Sequence, residues 1–494
     1  MMFTKKNNRV LARLRVLVSG VLCMSTVLAF GGESHRYENE SGMTFTPQNG
    51  ESVEALKGVI QVPENRQRRG SPMIPLHYVR FPATTKNPGS PIVYLAGGPG
   101  GSGINTAKGR RFPLFMQLRK YGDVIALDQR GTGLSDVTPA CRSKQPLPSD
   151  QIMDDKDYIE RHQKALKECV RFWGEQKVDL KGYNTLESVA DLEALRKHLN
   201  AEKITLWGIS YGSHLALAAI KKMDDRIDKV IIASVEGLQQ TIKLPQRTDA
   251  YFKRLQTAIH NEPLAKQQYP DIFQLIQRVH QRLEMSPLTL TLSPKDKPPF
   301  EFILQRRTMQ QFASRMISDP IWTKRLLQLY LAVDQGDVPL LQQQMARYLA
   351  PSRPIQLRAM PTAMDIASGM SQQRRTKIEE QAKTALLGSY LNFSFHYTDV
   401  LPELDLGDEF RQPPQSSIPV LLLSGTLDGR TYIESQREAV TGLKNITAVT
   451  VVNAGHNLFM SSPEVGNIME KFLKGQSIIK KSIIVQLPDF GNKT

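Results

Sequence analysis

Ser210 stands at the centre of Gly208-Ile209-Ser210-Tyr211-Gly212 in the stretch "ITLWGISYGSHLALAAI". A G-x-S-x-G set between an apolar run and a helical one forces a strand-to-helix turn sharp enough to expose the serine hydroxyl. Its small flanking residues let the two elements pass without collision. The bare pattern arises by chance in about one chain in six of this length, and the strand before and helix after reduce that risk severely. A serine nucleophile needs a base, and the base needs an orienting acid. In this arrangement they follow in the order serine, acid, histidine, each in a loop after a strand. Asp428 lies just beyond "PVLLLSG", in "GTLDGRTY", and His456 comes straight after "AVTVVNA", in "NAGHNLF". His396 is the other histidine far downstream in extended or loop-like sequence, but it sits near the end of a helical stretch. Alone, Asp428 would read as a surface acid and His456 as a loop histidine. Together with Ser210 and in the right order, they read as nucleophile, base and orienting acid for acyl transfer. His214, four residues past the serine on its helix, is expected to face neighbouring structure instead.

A second stretch, "YLAGGPGGSG" (94–103), follows another buried-strand pattern. Read literally, Gly98-x-Gly100-x-x-Gly103 is a dinucleotide fingerprint, with Asp128 as the ribose acid. Pro99 argues against that reading, because it removes a donor from the turn that a pyrophosphate needs lined with N–H groups. A nucleotide site would also leave Ser210, Asp428 and His456 unexplained. Acyl transfer, by contrast, needs a main-chain donor beside the one that follows the nucleophile, supplied from the loop after a central strand. The oxyanion hole is therefore assigned to the N–H groups of Tyr211 and Gly98. Loss of one such donor typically costs about 3 kcal/mol of barrier stabilisation.

The elements that must hold these residues follow from periodicity. Apolar runs at 91–97, 124–129, 204–210, 229–235, 419–425 and 448–454 alternate with helical patterns. In "TLESVADLEALRKHL", Leu186, Val189, Leu192, Leu195 and Leu199 share one stripe, with Thr185 as the expected N-cap. Upstream, "ALKGVIQVPEN" and "MIPLHYVRFPA" are expected to pair antiparallel across a polar turn. The fold class is α/β: a mostly parallel sheet flanked by helices on both faces. The alternation breaks between about 244 and 400, where Gln, Arg and Leu recur at helical spacing, and strand signals resume at Pro419. That span is too long and too periodic for a loop. The expected organisation is core over 41–243, a helical cap over 244–400, core again over 401–476, and a tail over 477–494.

Residues 1–31 stand apart as a signal peptide, with Lys5, Lys6, Arg9, Arg13 and Arg15 preceding the apolar run Val16 to Phe30. Fifteen apolar residues fall short of a bilayer core of roughly 30 Å, so export and cleavage are expected, with no stable membrane insertion afterwards. The chain carries a formal charge of +16, of which the leader holds five. The insertion holds 20 Lys and Arg against 13 Asp and Glu, most of the remaining excess. These cations are scattered without aromatic interleaving, so no nucleic acid partner is implied. A weak attraction to anionic surfaces or acidic peptides fits the charge. Beyond Cys23 only Cys141 and Cys169 remain. An even count in an exported protein points to one disulfide, with two buried thiols as the alternative.

Read in sequence, "GGPGGSG", "DQRGTGLS", "GISYG", "GTLDGRT" and "AGHNLF" resemble the prolyl aminopeptidase and tripeptidyl aminopeptidase family of α/β-hydrolases. The likeness runs from about residue 55 to 475, excluding most of the insertion. Cys141 and Cys169 resemble the cysteine pair of the secreted tripeptidyl branch. Prolyl aminopeptidases usually have His before Gly-Gly-Pro-Gly, where this chain has Ala96, a departure that favours the secreted branch over strict proline specificity. In "DQRGTGLS", Arg130 is expected to be structural. An aminopeptidase must also hold a free α-ammonium, a task suited to a partly desolvated carboxylate. Glu236, just past the strand after the nucleophile helix, is the candidate, with a merely surface-exposed glutamate as the alternative. The resemblance implies a secreted or periplasmic serine peptidase acting on peptides with free N-termini, with no metal or cofactor. An esterase or amidase would share the same catalytic residues, and a non-catalytic binding module on this scaffold is the reading from a different class.

Overall fold

A computed structural model describes residues 37–491, and the expected leader over 1–31 lies outside them. The strands, in chain order, begin with β1 (Ser41–Phe45), β2 (Val53–Pro63), β3 (Met73–Phe81), β4 (Ile92–Leu95), β5 (Val124–Leu127) and β6 (Cys141–Leu147). β7 (Ile204–Ser210) and β8 (Ile227–Val235) follow, then β9 (Leu288–Leu292), β10 (Phe300–Leu304) and β11 (Arg353–Leu357) within the insertion. β12 (Val420–Gly425), β13 (Ile446–Val452) and β14 (Ser482–Ile484) come last among the described residues. Ten of these form one sheet in the order β1-β2-β3-β5-β4-β7-β8-β12-β13-β14. Every pair from β5 to β14 is parallel, while β1–β2, β2–β3 and β3–β5 are antiparallel.

The central strands are apolar at most positions because both faces are covered. β4, β5 and β12 are buried throughout. Alternate side chains enter opposite layers: Val93 and Leu95 pack with the helix Tyr211–Met223 on one face, Ile92 and Tyr94 with Phe115 and Trp207 on the other. Each such aliphatic side chain contributes roughly 1.5–3 kcal/mol by leaving water, and that sum fixes the strand register. The expected stripe on the helix Thr185–His198 faces this core, although its N-cap is Asn184, not Thr185, with the Asn184 side chain accepting from Glu187 N. Thr185 instead lies inside the helix, fully buried.

The insertion is largely helical, including Pro245–Ile259, Ile272–Met285, Arg306–Met316, Pro320–Gln335 and Ala359–Ser368. Tyr251, Ile276, Leu290, Leu327 and Tyr330 build its own apolar cluster, which also takes in Leu427 and Tyr432 from the segment after β12. One expectation is corrected here. Strand structure does not wait for Pro419: β9 and β10 pair as a hairpin, and β11 pairs with β6 outside the main sheet. In the tail, β14 extends the sheet beside β13. Cys141 on β6 and Cys169 on the helix Asp155–Glu175 are joined as a disulfide with Cα atoms 5.6 Å apart, as the paired reading expected.

Candidate active site

Ser210 ends β7 and immediately precedes the helix Tyr211–Met223 with φ 55° and ψ −128°. A non-glycine residue in that region is strained and persists only where its surroundings over-determine it. The flanking glycines supply the room. A Cβ on Gly212 would lie 2.0 Å from the Leu95 carbonyl oxygen, and one on Gly208 would lie 2.5 Å from that of Gly212. The helix can therefore begin against the backbone of β4, leaving the Ser210 side chain partly accessible. Its hydroxyl makes no hydrogen bond among the described residues.

Asp428 and His456 meet beyond the ends of β12 and β13. The His456 Nδ1 lies 3.1 Å from each Asp428 carboxylate oxygen. A carboxylate only accepts, so Nδ1 carries the proton and Nε2 is left to act as a base. Asp428 is fully buried and also accepts from Arg430 N at 2.8 Å, Thr431 N at 2.9 Å and Thr431 Oγ1 at 2.7 Å. Burial alone would raise its pKa. The His456 ring and the hydrogen bonds from His456 and Thr431 outweigh that and hold it below the usual carboxylate range. Two anchors fix the histidine backbone: Ser234 Oγ donates to the His456 carbonyl at 2.8 Å, and His456 N donates to the Ser318 carbonyl at 2.7 Å. Ser234, itself at φ 49°, precedes Val235, the partner of Ser210 in the β7–β8 ladder. That register brings the His456 loop to the strand end that carries Ser210.

The glycine loop after β4 lies against the same serine, because a Cβ on Gly97 would sit 3.0 Å from Ser210 Cβ. Neither Gly98 N–H nor Tyr211 N–H donates a hydrogen bond among the described residues. Asp128 is no ribose acid. Fully buried, it accepts from Ser102 Oγ at 2.5 Å, Ile104 N at 3.0 Å and Leu134 N at 2.8 Å, tying the two glycine-rich loops together. Arg130 is likewise internal, paired with Asp191 at 2.7 Å and donating to the Glu64 carbonyl at 2.6 Å. His214 is buried under the site, stacked on Tyr211, with Nδ1 3.3 Å from the Gly237 carbonyl. His396 packs against Phe393 and Phe395, and burial pushes its pKa down to about 4.

A cavity of about 380 Å³ opens beside Gly98 and Pro99 and is bounded by Glu236, Lys243, Asp365 and Arg430. Glu236 is 4% exposed, which removes the surface reading, and its carboxylate is held by Lys243 Nζ at 2.7 Å. Burial would raise its pKa, but Lys243 and His214 bring it below the ordinary value. Asp365, on the helix Ala359–Ser368, is the residue that sequence reasoning missed. Its carboxylate has no hydrogen-bond or ionic partner among the described residues, and the residue is partly accessible and borders the cavity. Burial first, and the nearby Glu236 second, push its pKa up to about 7. Its single sequence signal is an acid within the otherwise apolar "AMPTAMDIAS", too common a pattern to single out.

A family profile described as the alpha/beta hydrolase fold matches residues 90–463. Serine protease Hip1 of Mycobacterium tuberculosis is 29% identical over 184 residues, which cover 36% of this chain and 35% of that protein. A proline iminopeptidase of Arabidopsis thaliana is 25% identical over 225 residues, covering 44% of this chain and 45% of that one. The chain thus spans between about a third and a half of the length of these curated relatives. Among solved structures, an epoxide hydrolase from an endophytic Streptomyces covers 87% of this chain and 98% of its own, at 14% identity and a TM-score of 0.39.

Proposed function

Because the chain belongs to the α/β-hydrolase family, we propose that it is an exported serine peptidase that releases amino acids or short peptides from free N-termini. Hip1 and the iminopeptidase carry peptidase names, which supports peptide bonds as the class of substrate. In this reading Ser210 Oγ attacks the scissile carbonyl while His456 Nε2 takes its proton. The N–H groups of Gly98 and Tyr211 receive the oxyanion. His456 then protonates the leaving amine, and water, activated by the same imidazole, hydrolyses the acyl-enzyme. Asp428, ionised and fully hydrogen-bonded, holds the ring and stabilises its cation.

The observation that carries the aminopeptidase reading is the unpartnered carboxylate of Asp365 in the cavity beside Gly98. Glu236 lends negative potential but already has Lys243 as its cation, so the α-ammonium falls to Asp365, with Glu236 behind it. The test compares kcat/KM for one peptide amide with its amino group free and with it acetylated. Loss of at least a hundredfold on acetylation is expected. Equal rates would turn the assignment to an endopeptidase or esterase of the same fold. A fluorophosphonate that labels the native protein but not Ser210→Ala separates either enzyme from a non-catalytic module.

A further inference from the structure

The cavity beside Gly98 does not end at its own walls. A cleft of about 410 Å³ adjoins it, and the two share Tyr158, His162, Gln311, Arg315, Ile355 and Gln356. Their electrostatic characters differ. The inner cavity mixes Glu236 and Asp365 with Lys243 and Arg430, whereas the outer cleft adds Arg307 and Arg353 to the shared Arg315 and has no Asp or Glu in its lining. Arg307 is engaged, pairing with Asp155 at 2.9 Å and lying over the Tyr158 ring. Arg315 and Arg353 are exposed, and neither guanidinium makes a hydrogen bond or ion pair among the described residues. Two exposed cations without a protein partner in one cleft favour an anionic occupant.

We propose that this cleft is a substrate subsite in which Arg315 and Arg353 bind a carboxylate of the peptide at a distance from the cleaved bond. The inference deepens the peptidase reading and rests on it for the identity of the occupant. β11 runs along both spaces: Arg353 borders the outer cleft, Leu357 the inner cavity, and Ile355 both. At about 3.3 Å per residue the strand spans roughly 13 Å between its end positions. A peptide lying extended beside it therefore presents, at Arg353, a residue about four positions from the one passing Leu357. Among the described strands β11 pairs on one side only, with β6, so its other edge is open to main-chain hydrogen bonds from an extended peptide. The carboxylate can come from an acidic side chain or from the peptide's own C-terminus.

The full chain carrying Ser210→Ala is titrated calorimetrically with hexapeptides that differ only in carrying Ala or Glu at successive positions, each as C-terminal acid and as amide. Binding about fivefold tighter for a carboxylate-bearing peptide is expected, fading with added salt because the arginines are exposed. Dependence on Glu assigns the carboxylate to a side chain, and dependence on the free acid assigns it to the terminus. The charge-reversed Arg315→Glu/Arg353→Glu protein should invert the preference toward Lys-bearing peptides, which a misfolded variant would not do. Equal affinities across the set, or a preference that survives reversal, overturn the proposal. Since no cleavage is needed, this outcome is independent of the comparison of free and acetylated substrates.

Discussion

Two aspartates of one site are driven in opposite directions by their surroundings, and that contrast sets what each can do. Asp428 gains three donors and an imidazole and stays ionised. Asp428→Asn should lower kcat on the order of 10⁴-fold by releasing His456 from its tautomer, as tests of triad acids elsewhere show. Fluorophosphonate labelling should slow in parallel while far-UV circular dichroism stays unchanged. Burial, with Glu236 nearby, pushes the pKa of Asp365 up to about 7, and no donor offsets it. Between its unfolded value near 4 and that point, the unfolded chain releases a proton that the native state keeps. Native stability therefore falls as pH rises through this window. Asp365→Asn should be more stable than the parent at pH 8 by an amount on the order of 1–4 kcal/mol and equal to it at pH 4, measured by urea denaturation. KM for a free N-terminus should rise in the parent as pH drops below 7, where the carboxylate is lost, and be high at every pH in the variant. Ser210, Asp428 and His456 stand out as candidates in the sequence because the elbow has a signature and the other two follow strands. Asp365 does not, because its meaning lies in what fails to touch it.

At the scale of elements, the elbow is the junction with the least tolerance. Gly212→Ala places a methyl into the Leu95 carbonyl of a central strand, backbone that cannot move aside. A loss of about 3 kcal/mol or outright insolubility is expected, seen as a shifted denaturation midpoint or loss of soluble protein. The disulfide acts on a different part, tying β6 to the helix Asp155–Glu175 across 28 residues. Replacing both cysteines by alanine should cost about 3 kcal/mol, read from the urea midpoint, with kcat much less affected than stability. Central strands such as β4, β7 and β12 announced themselves because burial on both faces makes them continuous apolar runs. β9, β10 and β11 did not: "LTLTL", "FEFIL" and "RPIQL" mix polar residues with apolar ones, and their pairing depends on distant partners. The antiparallel entry of β2 and β3 was legible because a polar turn separates two alternating segments.

For the whole molecule, the insertion does more than roof the site. The Ser318 carbonyl holds His456 N at 2.7 Å, the Ile317 carbonyl holds Gly429 N at 3.1 Å, and the Ser314 carbonyl accepts from Arg430 at 2.6 Å. Three carbonyls within the five residues 314–318 thus clasp both the acid loop and the histidine loop, while Leu427 and Tyr432 enter the insertion's apolar cluster. A cap that merely filtered substrates would open without disturbing the residues beneath it. Here opening must break the hydrogen bonds that fix His456 and Gly429, so the cap and the proposed catalytic loops form one cooperative unit. Native-state hydrogen exchange should give the amides of Gly429, His456 and Ile317 a common opening free energy, close to that of the β12 amides. Hydrolysis of a small activated ester should disappear at the same urea concentration as the tertiary circular dichroism signal. Faster exchange at Gly429 and His456 than in β12, with ester hydrolysis persisting after the cap has opened, would make the insertion a detachable lid and remove its role in holding the histidine.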